Sequence, residues 1–206
     1  HAGHCVQEWA GLKLKLFNRY HYNYLYLRPV GHITDLIRYG CFVNASSIMF
    51  RRHERMGEAI DDGCKIILDY PWHILNLALQ PGALDFIPAV LGRYRYHANS
   101  FGGQTRQSAA RREQSLQDML RACDNAAAFG ISPLVIAQGR AHLYYSTALY
   151  FLRQEDTPRF NHFLQQSVNE VAALAPGWFF DDRHQLAWQL RADPVQVRQQ
   201  LFGANP

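Results

Sequence analysis

The sequence has very few lysines and no cluster of positive charge. Only Lys13, Lys15 and Lys65 occur among its 206 residues, and scattered arginines supply the rest of the net charge of +4. A nucleic-acid-binding tract concentrates its basic residues on one stretch or one face. The composition therefore argues against such a tract, and no nucleic acid is expected as a partner.

Paired cysteines and long apolar runs are also missing. The four cysteines lie far apart without a CxxC motif, which favours reduced thiols in a cytoplasmic protein over a disulfide framework or a zinc site. No apolar run approaches the ~20 residues that a membrane-spanning helix needs. The chain contains no GxSxG, P-loop or GxGxxG motif, so these common signatures of hydrolases and nucleotide-binding enzymes are excluded.

The residues that are present divide the chain into two parts. With 48% hydrophobic residues, the chain can bury a core. Residues 1–103 mix strand-like alternation with short helices and are expected to form an α/β region. Residues 104–206 show only the i, i+3, i+4 spacing of amphipathic helices, beginning with a charged helix over 105–128. The next two helices, over 132–153 and 157–175, are expected to pack as an antiparallel hairpin.

One acid lies in an otherwise apolar run, LDYPWHILN, at residues 68–76. Pro71 suits the first turn of a helix, so Asp69 can cap the free amides there and face the positive end of the helix dipole. A carboxylate held ionised at a helix start equally describes a general base. The residues alone leave both interpretations open.

Four segments taken in order resemble one enzyme family. They are NASSIMFRR, predicted to be a strand, then GEAIDDG, LDYPWHILNLA and FIPAVLGRYRYHANS. Their order and spacing resemble the acceptor-side half of a family 2 glycosyltransferase of the GT-A fold. The resemblance implies a partial GT-A-like sheet over residues 1–103, an all-α tail over 104–206, and inverting sugar transfer with Asp69 as the catalytic base. Leu68 stands where a common version of the family has Glu.

The same resemblance implies a donor side and an acceptor side. His97 would reach the donor diphosphate or its divalent metal, with Arg93 and Arg95 offsetting phosphate charge; alternatively, these side chains hold the loop through backbone carbonyls. The residues expected to bind the acceptor are Asn44, Ser46, Tyr70 and Trp72. Asn44 and Ser46 can equally be polar residues satisfied within a sheet.

The resemblance covers only part of such an enzyme. The N-terminal nucleotide-binding half and its Asp-x-Asp motif do not appear, so the chain is expected to be a C-terminal piece. A nucleotide-sugar donor, a saccharide acceptor and Mn²⁺ or Mg²⁺ are then expected only for the full-length enzyme, and binding of nucleotide diphosphates to this chain alone should be no tighter than about millimolar. The implied setting is bacterial-type cell-surface polysaccharide or glycoconjugate synthesis, in the cytoplasm or peripherally at the inner face of the membrane.

A different class of function fits the second half of the chain. Residues 105–206 can form a noncatalytic helical module that binds a partner protein, with the first hundred residues as support. This alternative predicts no sugar transfer.

Overall fold

The computed structural model describes residues 4–6, 15–16, 30–40, 45, 48–85, 92–94 and 99–203, and this part of the chain is mostly α-helical. A 3₁₀ helix spans Glu54–Ala59. The α-helices are α1 Ile33–Tyr39, α2 Asp69–Leu79, α3 Phe101–Gln107, α4 Ala109–Ala127, α5 Pro133–Arg153, α6 Thr157–Ala172, α7 Asp182–Gln189 and α8 Pro194–Phe202. The strands are β1 His4–Val6, β2 Lys15–Leu16, β3 Val30–Gly31, β4 Leu84–Asp85 and β5 Gly92–Tyr94.

The predicted α/β fold with a partial GT-A-like sheet is wrong. In the described residues no strand is longer than three residues, and the strands pair only as β2-β1-β5 and β3-β4. Residues 48–52, the described end of the strand predicted from NASSIMFRR, have no regular secondary structure. Short apolar runs do not distinguish a strand from an irregular segment that packs against a helix, and here the side chain of Phe50 packs against α2.

Local sequence signals set the helix ends in the second half of the chain. The predicted helices over 132–153 and 157–175 are confirmed as α5 and α6, which pack on each other. The Asp156 side chain caps α6 by accepting the Arg159 amide at 3.1 Å. The helix predicted over 105–128 is divided at Ser108, whose hydroxyl accepts the amide of Arg111 and starts α4.

One hydrophobic core joins α1 and α2 to the C-terminal helices. Leu36, Ile74, Leu116, Phe151 and Leu164 are buried in it, and they come from α1, α2, α4, α5 and α6 respectively. The core therefore includes residues from both sides of the predicted domain boundary between 103 and 104, and that boundary stays a prediction. This packing fixes α2 against the helical bundle.

Glycine permits the close approach of α1 to α5. A Cβ atom at Gly139 would lie 2.5 Å from the backbone oxygen of Ile37, which is closer than real contacts allow. Any larger residue at this position would push α1 away from α5. None of the described helices combines the length and apolar character needed to cross a membrane.

Candidate functional site

Asp69 is the first residue of α2 and is half-buried. Leu68 occupies the N-cap position and has no side chain that can bond the free amides of the first turn. The Asp69 Oδ1 atom accepts the adjacent amide of Tyr70 at 3.0 Å. The carboxylate therefore lies at the positive end of the helix dipole and is partly open to solvent.

A buried acid of α4 holds the loop that leads to α2. The Asp118 carboxylate is 2% exposed and accepts the amides of Lys65, Ile66 and Ile67, with the shortest distance of 2.6 Å to Ile66. Gln114 donates to the same carboxylate at 3.0 Å. Burial alone would raise the pKa of Asp118, but the three amides and Gln114 keep it below its usual range. Asp118 therefore fixes the path of the chain just before Asp69.

Asp61 ties the preceding turn to the same helix. Its carboxylate accepts the Gly63 amide at 2.9 Å, a bond from Asn125 at 2.6 Å and two bonds from Arg121. Residues 62–63 form a turn. A Cβ atom at Gly63 would lie 2.3 Å from the Arg121 guanidinium, so a larger residue there would displace the end of this side chain.

Aromatic rings cover one side of α2. The Phe50 ring lies edge-on to Trp72 with centroids 4.5 Å apart, and it stacks on the His73 imidazole at 5.5 Å with 22° between the planes. Trp72 and Phe50 are half-buried. We call Phe50, Trp72 and His73 the aromatic cluster. Exposed aromatic faces of this kind stack on sugar rings as well as on one another.

The imidazole of His73 has no hydrogen-bonding partner among the described residues. It is 1% exposed, and both of its ring nitrogens are buried without a bond. Burial lowers the pKa of His73, although the negative charge of Asp69 one turn away acts in the opposite direction. His73 is therefore neutral at pH 7, and leaving it unpaired costs about 1–3 kcal/mol.

A second histidine connects the segment of Phe50 to α2. The side-chain nitrogen Nδ2 of Asn76 donates to the Trp72 carbonyl at 2.9 Å. The other side-chain atom, Oδ1, therefore accepts from Nε2 of His53 at 3.1 Å. This bond and the Phe50 contacts hold residues 48–53 against α2 without secondary structure.

The predicted site residues fall into three groups. Tyr70 is fully buried and donates its hydroxyl to the Leu36 carbonyl at 3.1 Å, a role that supports the core. Trp72 belongs to the aromatic cluster and lies three residues after Asp69 in α2. The structure describes only the backbone of Arg93, which lies in β5. The remaining predicted site residues lie outside the described part of the chain; they are Asn44, Ser46, Arg95 and His97.

No metal site is formed by the described residues. Among them, no group of three or more His, Cys, Asp or Glu side chains is arranged to hold an ion. The divalent metal that the resemblance implies for the full-length enzyme therefore stays a prediction. The predicted metal ligand His97 lies outside the described residues.

Sequence reasoning overlooked His73, Asn76 and Asp118. The first two had a usable signal, because positions 69, 73 and 76 recur at i, i+4 and i+7 and so share one face of a helix. Asp118 had none, since the three backbone amides that it binds are 51 to 53 residues away along the chain.

A Ser–His pair elsewhere in the bundle is structural. His184 and Ser167 are both fully buried. Nδ1 of His184 accepts the Phe180 amide at 3.2 Å, so Nε2 donates to the Ser167 hydroxyl at 2.8 Å, which in turn donates to the Leu164 carbonyl. Because its hydroxyl proton is committed to a carbonyl and no substrate can reach it, Ser167 does not have the environment of a nucleophile.

The arginines that line a polar cleft between α4 and α5 are paired with acids. The cleft has a volume of about 510 Å³ and includes Lys65, Arg121 and Arg140 in its lining. Arg121 pairs with Asp61, and Arg140 pairs with Asp124 and Glu170. The two arginines therefore offer little uncompensated charge to a ligand.

Comparisons with known proteins add no assignment: no family model matches the chain, and no curated protein or solved structure shows significant similarity to it. The resemblance to family 2 glycosyltransferases stays a prediction from the sequence.

Proposed function

We propose that this chain carries the acceptor side of an inverting glycosyltransferase, with Asp69 as the general base, on a mostly α-helical scaffold. The position of Asp69 carries the proposal. Its carboxylate lies half-buried at the first residue of α2, next to the aromatic cluster. An accessible carboxylate beside aromatic rings is a combination that suits a saccharide acceptor.

The reaction needs only one carboxylate from this chain. An acceptor hydroxyl oxygen forms a bond to the anomeric carbon of the nucleotide sugar, and the bond from that carbon to the diphosphate oxygen breaks. The nucleoside diphosphate leaves with the electron pair, and the hydroxyl proton passes to Asp69. No step is assigned to a metal.

One feature prepares Asp69 for this role. The Asp118 bonds to residues 65–67 restrict the chain up to the helix, so the carboxylate keeps a defined position relative to Trp72.

The remaining parts of the proposal follow from the resemblance. The donor is a nucleotide sugar, the acceptor is a saccharide or another hydroxyl compound, and the product belongs to a cell-surface polysaccharide or glycoconjugate. The reaction is assigned to the cytoplasm, at or near the inner face of the membrane.

The test is transfer by the native full-length protein with Asp69→Asn. Release of nucleoside diphosphate is measured with UDP-, GDP- and dTDP-sugars and a panel of saccharide acceptors. The variant is expected to lose about 10²- to 10⁴-fold in turnover, because the amide cannot accept a proton. Asp62→Asn, at an exposed position of the preceding turn, is the matched control and should keep full activity. Normal turnover in Asp69→Asn would remove Asp69 from the mechanism.

A noncatalytic interaction module is the second candidate, and the mostly helical structure favours it. Large apolar side chains of Phe129, Leu174 and Val195 are 42%, 52% and 57% exposed in the C-terminal half. If this candidate is correct, the native protein transfers no sugar, and Asp69→Asn has no effect on its function.

A further inference from the structure

The fold brings together three arginines that lie far apart in the sequence. Arg153 is the last residue of α5, Arg183 belongs to the first turn of α7, and Arg106 lies in the last turn of α3. The positive charges of Arg183 and Arg106 both act on Arg153. The sequence contains no basic tract, so this concentration of charge exists only in the folded chain.

The Phe202 ring at the end of α8 lies at the centre of this charge. The Cζ atom of Arg153 is 4.0 Å from the centre of the ring, and that of Arg183 is 6.0 Å from the same centre. A cation over an aromatic ring is held by the negative face of the ring and not by a hydrogen-bond acceptor. The contact therefore restricts the position of the Arg153 guanidinium and leaves it without an oxygen partner.

No carboxylate pairs with Arg153 or Arg183 in the described part of the chain. Arg153 forms no hydrogen bond or ion pair there, and Arg183 donates only to the Leu201 carbonyl, at 2.7 Å. Burial lowers the pKa of Arg153, and the positive charges of Arg183 and Arg106 lower it further. The negative end of the α5 dipole favours one cation at this place but does not account for a second beside it.

A phosphate dianion has the charge and the acceptors that this arrangement lacks. Its two negative charges balance those of two arginines, and two of its oxygens can accept the parallel N–H donors of one guanidinium. A carboxylate offers the same pair of oxygens with half the charge. Arg153 and Arg183 are both exposed, so a dissolved anion reaches them without a cavity.

We propose that Arg153 and Arg183 form a surface site beside Phe202 for a phosphate dianion, either free or as a monoester. The Arg153 guanidinium binds two phosphate oxygens, Arg183 contributes its charge and its remaining donors, and Arg106 adds positive potential. The inference is independent of the proposed function, because Asp69 takes no part in it.

Titration of the full chain with inorganic phosphate and with methyl phosphate tests the site. Backbone amide NMR signals of residues 150–153, 183 and 202 report binding at about pH 7.5, where a phosphate ester is mainly dianionic. Sodium chloride keeps the ionic strength constant, so that general screening does not change. A dissociation constant on the order of 1 mM is expected, the level of a few exposed contacts. Binding of both ligands assigns the site to phosphate groups in general, and binding of inorganic phosphate alone assigns it to the free anion.

Substitutions separate the site from the general attraction of anions to a basic protein. Arg153→Gln removes the charge and should weaken phosphate binding about tenfold, whereas Arg153→Lys keeps the charge without the planar fork and should weaken it about threefold. Arg159→Gln is the matched control. Arg159 lies over Phe151 at 5.3 Å, as Arg153 lies over Phe202, but it pairs with Glu113 and Asp156. The control should therefore bind phosphate as the unaltered chain does.

Three results would overturn the inference: no saturable change in these signals at ~50 mM phosphate, Arg153→Gln binding phosphate as tightly as the unaltered chain, or acetate binding as tightly as phosphate. Thermal unfolding shows whether each variant is folded. If Arg153→Gln is not, Arg183→Gln takes its place and should weaken binding about threefold, and unchanged affinity there would equally refute the site. Asp69→Asn should bind phosphate normally whether or not it loses transfer, so the two proposals fail separately.

Discussion

Asp118 offers the sharpest test of how the bundle positions Asp69. We consider Asp118→Asn, which keeps the size of the side chain and removes its charge. In the native structure the carboxylate receives the amides of Lys65, Ile66 and Ile67. An asparagine side chain has one acceptor oxygen, and with that oxygen in place of Oδ2 its N–H₂ group faces the Gln114 side-chain amide, which loses its partner, while the three backbone amides keep only a neutral acceptor.

The magnitude follows from these contacts. Hydrogen bonds to a charged group contribute about 1.5–3 kcal/mol each, and a buried donor without a partner costs about 1–3 kcal/mol. Loss of the charge and of one amide bond together should lower the free energy of unfolding by about 3–5 kcal/mol. The pKa of Asp118 is lowered in the folded state, so its contribution is present above the usual carboxyl pKa near ~3.9 and is lost as the pH falls through the folded value.

The assay is urea denaturation at pH 7, with Asp124→Asn as the control. Asp124 is a more exposed acid of the same helix, with a side chain 61% exposed, and its substitution should cost less than about 1 kcal/mol. Hydrogen exchange of the amides at 65–67 should accelerate in Asp118→Asn and remain unchanged in the control. A denaturation midpoint within experimental error of the unaltered chain would refute the role of Asp118 as an anchor for this loop.

Two further predictions concern the helical bundle. Leu152→Ala should destabilise the chain by about 2–5 kcal/mol, because Leu152 is 3% exposed in the α5–α6 hairpin. Leu149→Ala should cost less, because Leu149 is only partly buried. Equal urea denaturation midpoints for the two variants would contradict this packing. Burial lowers the pKa of His184 from 6.5 to about 4, so protonation of the unfolded chain should reduce the free energy of unfolding by about 2 kcal/mol between pH 7 and pH 5. Replacement by Gln should flatten this part of the pH profile, and a slope unchanged by His184→Gln would show that other groups cause it.

Local sequence determined where several helices begin. Asp156, Asp181 and Asp193 each precede a helix, and each caps it by accepting the amide three residues later. Gly40 lies just past the end of α1 with φ of 74°. These features could be predicted because a cap depends on residues within one turn of itself.

The start of α2 was also predictable, but the use of Asp69 was only partly so. The LDYPWHILN segment indicated a helix that begins near Pro71, and α2 begins at Asp69. The sequence did not reveal that Leu68 takes the N-cap position. It also did not reveal that Tyr70 would be buried beneath α1 while Trp72 remained near the surface.

Tertiary structure decided the features that depend on distant partners. The alternation around Phe50 suggested a strand, but the ring packs on α2 and no ladder forms over residues 48–52. Asp118 looked like one more charge on an amphipathic helix, yet it binds amides more than fifty residues away. Helix ends follow from short-range steric and hydrogen-bonding preferences, which the sequence carries residue by residue. The role of a buried polar or aromatic side chain depends on which surface folds against it, and that contact exists only in the assembled core.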